Sequence, residues 1–197
     1  MSLTFDPERH EYRWDGEPVP SVTQILRPLV DFSRVPPDVL RAASEFGTAV
    51  HKACELDDLG DLDETSLDPA LACYLEGWRK FRREHACAWD LIEQPVFHPA
   101  LRYAGTPDRI GRIDGVLGVL DIKSSAALMP TVGPQTAAYA RAYSQSGAAL
   151  TRFGVRLFPG DYEIKQYTDP LDWPTFASLV TVRQFCARHF LKEISYV

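Results

Sequence analysis

Asp114-Gly115 stands between two apolar runs, Arg109-Ile-Gly-Arg-Ile113 and Val116-Leu-Gly-Val-Leu-Asp-Ile-Lys123, and this leaves the chain few choices. An Asp-Gly pair flanked by strand-forming residues marks a two-residue hairpin turn. With Asp114 and Gly115 as the loop, residue 113 pairs with 116, and the same count sets Asp108 opposite Asp121. Directly opposed residues of an antiparallel pair share a face, with Cβ atoms roughly 4.5–5.5 Å apart. Lys123 lies two residues past Asp121 and shares that face, because strand side chains alternate. Two facing carboxylates repel unless one takes a proton or a cation sits between them. Hard oxygen ligands favour Mg²⁺ or Mn²⁺. The same residues also suit a surface hairpin with Asp and Lys at its frayed end, and the hairpin alone leaves both readings open.

At 197 residues the chain is expected to be one domain with a real core. No apolar run approaches the roughly 18 residues of a membrane span, so no membrane partner is expected. The start, Met-Ser-Leu-Thr-Phe-Asp-Pro, lacks the basic and then apolar pattern of a secretion signal. Cys54, Cys73, Cys87 and Cys186 form no CxxC pair and no zinc-finger spacing. They are expected as free thiols in a reducing cytoplasm, with no iron–sulfur cluster. The net charge of −6 disfavours an extended nucleic-acid-coating surface but allows a local grip. Arg79, Lys80, Arg82 and Arg83, interleaved with Trp78 and Phe81, read either as a solvated helix face or as a phosphate-binding patch.

Along the chain, Phe5 to Trp14 reads as a strand, and Ser21 caps a helix beginning at Val22. Prolines 28, 36 and 37 break the following region. Asp38 is expected to cap a helix reaching about Leu59, and residues 60–69 form an acidic loop. Apolar spacing predicts a helix over 69–86, then a strand from Trp89 to about His98. After the hairpin, Pro134 opens a helix over 135–147 that stops at Gly147. Strands follow at 151–158 and 163–168, and a last helix at about 174–192. This order predicts an α/β fold, a central mixed sheet flanked by helices. The divisions expected within the single domain are an N-terminal strand and helical lead-in (1–45), a core (46–168) and a C-terminal helix (169–197).

Two helical pairs add chemistry. Gly47, His51 and Glu55 are spaced four apart, on one helix face. His51 reads as a neutral imidazole ligand, which Mn²⁺ tolerates, or as an ordinary half-buried histidine. Gln135 and Tyr139 are also four apart. Gln135 suits a metal-bound water or a base edge, and Tyr139 a phosphate, a base face or simple packing on the sheet.

Taken in order, Gly47-x-x-x-His51-x-x-x-Glu55, Gly105-Thr-Pro-Asp108, Asp121-Ile-Lys123 and Gln135-x-x-x-Tyr139 resemble the PD-(D/E)xK nuclease superfamily. The resemblance is to its RecB-like branch, which includes phage exonucleases and the mitochondrial genome maintenance exonuclease. It covers roughly residues 5–143 and fades beyond. It implies a restriction-endonuclease-like core and a Mg²⁺- or Mn²⁺-dependent DNA exonuclease of phage or prophage recombination or DNA processing. The alternatives are an endonuclease on the same scaffold or an inert DNA-binding or recombination-partner module. The resemblance also implies the roles. Asp108, Asp121 and His51 bind metal with the Ile122 carbonyl, and Lys123 orients or deprotonates the attacking water. Glu55, favoured over Glu93, holds a second ion through water, and Gln135 and Tyr139 lie near the scissile strand. Burial near the metal is expected to lower the Lys123 pKa. DNA is the expected partner, contacted by Arg79, Lys80, Arg82, Arg83 and Tyr139, in the cytoplasm of a bacterial or phage-infected cell. A single-strand annealing recombinase is a further expected partner. A homo-oligomer would gather the Arg79–Arg83 patch around a channel.

Overall fold

The computed structural model describes residues 2–144 and 149–190. The chain begins with a three-stranded antiparallel sheet, β1 (Leu3–Asp6), β2 (Glu11–Trp14) and β3 (Glu17–Val19). The single strand expected over 5–14 is thus a hairpin. The Asp6 carboxylate accepts the amides of Glu8 and Arg9 and turns the chain before β2. Ser21 caps helix α1 (Val22–Leu26) as expected, and Gln24 completes a capping box: Gln24 N donates to Ser21 Oγ, and Ser21 N donates to Gln24 Oε1. A 3-10 turn at Arg27–Leu29 follows.

Helix α2 (Pro37–Leu59) begins two residues before the expected start. Asp38 is not its cap. Pro36 holds that position, and Asp38 lies in the first turn, where its charge meets the positive end of the helix dipole. Gly60, at φ 75°, closes the helix. Helix α3 (Pro69–Glu84) starts from Asp68, whose carboxylate accepts the Ala70 amide. The strand expected over 89–98 divides into β4 (Cys87–Ile92) and β5 (Val96–His98). A bulge between Trp89 and Leu91 and the left-handed backbone of Glu93, φ 47°, break it. β5 pairs with β6 (Tyr103–Gly105), a strand the sequence reading did not separate from the loop.

The hairpin forms as counted. β7 (Arg109–Ile113) and β8 (Val116–Lys123) pair with Ile113 opposite Val116 and Arg109 opposite Leu120. Asp114 and Gly115 take φ 51° and 80°, as a type I′ turn requires. Helix α4 (Val132–Tyr143) starts three residues before 135, so Pro134 is its third residue, still among the amides that lack an intrahelical acceptor. The expected stop at Gly147 lies outside the described residues. β9 (Thr151–Phe158) and β10 (Asp161–Gln166) precede α5 (Asp172–Arg188), and the expected end at Lys192 again lies outside them.

The central sheet has the order β10-β9-β8-β7-β4, with β8 and β9 parallel and the other pairs antiparallel. This is an α/β fold, a mixed five-stranded sheet flanked by helices. Alternation along β8 sends Val119 into a core with residues of α1, α4 and α5. It sends Leu120 and Ile122 into a second core with Val50, Leu75, Trp78 and Phe81 of α2 and α3. No helix among the described residues is long and apolar enough to cross a membrane.

Candidate metal centre

The site forms where three neighbouring strands stop. Extending the β7–β8 register by one pair sets Asp108 opposite Asp121. Extending β4–β7, where Ile92 pairs with Arg109, sets Glu93 beside Asp108 from the other side. The Glu93 amide donates to the Asp108 carbonyl at 3.1 Å. One sheet edge therefore gathers three carboxylates in a row. His51 reaches them from α2, with Nδ1 3.3 Å from Asp108 Oδ1 and 3.7 Å from Glu93 Oε1. One ligand atom each from His51, Glu93 and Asp108 lie within 4.8 Å of one another, close enough to share one ion.

Asp121 is the most enclosed of the acids, 1% exposed. Lys123 Nζ lies 2.7 Å from its Oδ2, an ion pair. Oδ1 has no hydrogen-bond partner among the described residues. A buried carboxylate with an unfilled oxygen is costly unless a further charge meets it. The Ile122 amide donates to Asp108 Oδ2 at 2.5 Å. A strand residue's amide and carbonyl leave on the same side, so the Ile122 carbonyl also faces the Asp108 edge.

Against Glu93, Asp108 and Asp121 stand Lys123, a proton on His51 and Arg109, whose charge Asp58 also meets. Burial works against that proton, but the Asp108 charge and hydrogen bonds to Asp108 and Glu93 outweigh it and push His51 up to about 10. Burial, opposed by Lys123 and aided by Asp108, pushes Asp121 up to about 6. Burial likewise raises the Glu93 carboxyl, with Asp108 adding to it. Lys123 corrects an expectation. Burial does favour its neutral form, but the Asp121 and Asp108 charges win and hold its pKa above the ordinary value. It stands as an ammonium, suited to offset negative charge, and not as a ready base.

Glu55, favoured over Glu93 for a second ion held through water, pairs with Lys52 at 2.8 Å and is not among the three clustered ligand residues. Four-residue spacing puts Glu55 on the His51 face but a full turn further from the strand ends. Glu93, the alternative to Glu55 in the sequence, comes to the cluster through the pairing of β4 with β7. Gly47 faces the chain leaving β8, where an added Cβ would stand 3.5 Å from Ser124 Oγ. Tyr139 is 4% exposed, its ring packed on Gly105, where a Cβ would stand 2.6 Å from Cε1. It is thus closed to base stacking. Burial first, then the Asp121 charge, raises its phenol well above the ordinary value. Gln135 Nε2 donates to the Tyr139 hydroxyl at 3.2 Å, and Gln135 borders the groove described below. Tyr12 and Thr106 were missed: their hydroxyls meet at 2.7 Å and tie the N-terminal sheet to the Gly105–Asp108 turn.

Three of the four cations of the expected phosphate patch are engaged in ion pairs with the protein's own acids. Arg79 meets Asp57 at 2.6 Å and also Glu64, Lys80 meets Asp161 at 2.8 Å, and Arg82 meets Asp58 at 2.6 Å. Arg83 is the most exposed of the four, and the other three are half-exposed. Beside Lys123 and Gln135 opens a groove of about 1320 Å³ along α1, the 3-10 turn and α5. Its lining includes Arg27 and Arg183 and the half-exposed Phe32 and Met129. The four cysteines are free thiols at separate places. Compared with models of known protein families and with curated proteins, the chain matches none.

Proposed function

We propose that this chain is a Mg²⁺- or Mn²⁺-dependent deoxyribonuclease with a restriction-endonuclease-like core, an exonuclease hydrolysing phosphodiester bonds in DNA. The observation that carries the reading is the convergence of Asp108, Asp121 and Lys123 at one end of a hairpin, with Glu93 and His51 closing the cluster. The donor set of carboxylate oxygens and one imidazole suits a hard divalent ion, with Mn²⁺ accepting the nitrogen readily. Such an ion supplies a water ionised near neutral pH and positive charge for the reacting phosphoryl group.

The chain's own residues do the rest. Asp108, Glu93 and His51 would hold the ion, with Asp121 facing it from the neighbouring strand. His51 gives up its proton to offer a nitrogen. Lys123, held as an ammonium, donates to a phosphate oxygen as negative charge builds there. Gln135 contacts the strand where the groove meets the site.

The test is turnover on matched linear and covalently closed circular DNA with Mn²⁺, for the wild type, Asp121→Ala and Lys123→Ala. The expected result is loss of the linear DNA, an intact circle and no turnover by either variant while both stay folded. Undiminished cleavage by either variant contradicts the assignment, and cutting of the circle makes the enzyme an endonuclease on the same scaffold.

A further inference from the structure

Arg109 is wholly buried beside Asp108, on the opposite face of β7, and its partner Asp58 on α2 is equally enclosed. A buried ion pair is a poor stabilising device, because apolar residues of similar volume usually hold a fold as well or better. The hydrogen bonds suggest another use. Arg109 does not present the two-pronged fork that would bind Asp58 most strongly. It gives Nε to Asp58 Oδ2 at 2.7 Å and sends Nη1 the other way, to the Asp108 carbonyl at 2.5 Å and to Glu93 Oε1 at 3.4 Å. Nη2 has no partner among the described residues. Asp58 is itself anchored from α3, by Trp78 Nε1 at 3.1 Å and by Arg82 at 2.6 Å, and the guanidinium lies over the Trp78 ring. Glu93 sits on a left-handed backbone with a side chain 21% exposed, and besides Arg109 its carboxylate faces His51, 3.7 Å away.

We infer that the Asp58–Arg109 pair is a positioning device that holds Glu93 and the Asp108 backbone in the geometry of the metal centre. This rests on the metal reading above. It makes Arg109 a positioning residue, acting through Glu93. Partners that orient metal ligands in this way typically change metal affinity about 10–100-fold when removed.

The experiment is Mn²⁺ titration by calorimetry on the metal-free full chain, with no activity read. Asp58→Leu combined with Arg109→Met replaces the pair by apolar volume, and circular dichroism and melting check the fold. The expected result is a folded double variant binding Mn²⁺ about 10–100-fold more weakly. Adding Glu93→Gln to that background should cost less than the same change costs the wild type, because part of what Glu93 contributes is already lost with Arg109. Unchanged affinity in the double variant, or losses that multiply, overturns the inference. Should the double variant fail to fold, Arg109→Lys decides. Its ammonium cannot span Asp58 and Glu93 together, so weakened Mn²⁺ binding supports the inference and wild-type affinity overturns it. A wild type that takes up no Mn²⁺ instead sinks the metal reading, and this inference with it.

Discussion

His51 faces Asp108 and Glu93 at once, and this ties its proton to both folding and metal uptake. Its pKa is raised in the folded chain, from 6.5 to about 10, so its contribution to stability is complete below about 6.5. That contribution is lost as pH rises towards 10. Mn²⁺ needs the neutral ring, so binding releases a proton and tightens over the same interval. Calorimetry at pH 7.5 in buffers of different ionisation enthalpy should show that release, and it should vanish in His51→Gln. Equal release from both proteins would remove His51 from the centre. Among the site residues, Asp108, Asp121 and Lys123 were legible in the sequence, because a two-residue turn and a period of two determine what faces what. The charge state of Lys123 was not. It depends on how burial and two acids balance, which spacing does not reveal.

The hairpin and the helices were legible as elements because their signals are local: a turn pair, a capping serine, a 3.6-residue stripe. The breaks were not. β4 ends at a bulge and at Glu93, and nothing in Trp89–His98 announces either. Gly111 on β7 shows why the pairing is exacting, since an added Cβ would stand 2.2 Å from the Ala88 carbonyl oxygen on β4. That neighbour is backbone and cannot swing aside. Gly111→Ala should therefore push β4 off β7 and destabilise the fold by about 1–3 kcal/mol. Urea unfolding measures this, and an unchanged midpoint would contradict the close β4–β7 approach.

Across the whole molecule, charge is arranged for internal pairing more than for display. The chain carries −6 overall, and Arg79, Lys80 and Arg82 bind α2 and the β9–β10 turn to α3. A channel built on that patch would draw on charge already neutralised. Arg79→Ala with Arg82→Ala should lower the melting temperature by a few degrees, about 1 kcal/mol in a domain of this size. Oligonucleotide affinity should stay within about twofold, because the free charge lost is small. A large fall in affinity without loss of stability would restore the patch as a DNA contact. The layered α/β plan was legible from element order, whereas these pairings join segments far apart in the chain. The central claim is that three adjoining strand ends and one helix build a single divalent-ion site. Anomalous diffraction from crystals soaked in Mn²⁺ tests it most directly. The expected result is a peak bounded by Asp108 with His51, Glu93 and Asp121. Saturating Mn²⁺ that leaves those residues empty, or binds only elsewhere, would contradict it.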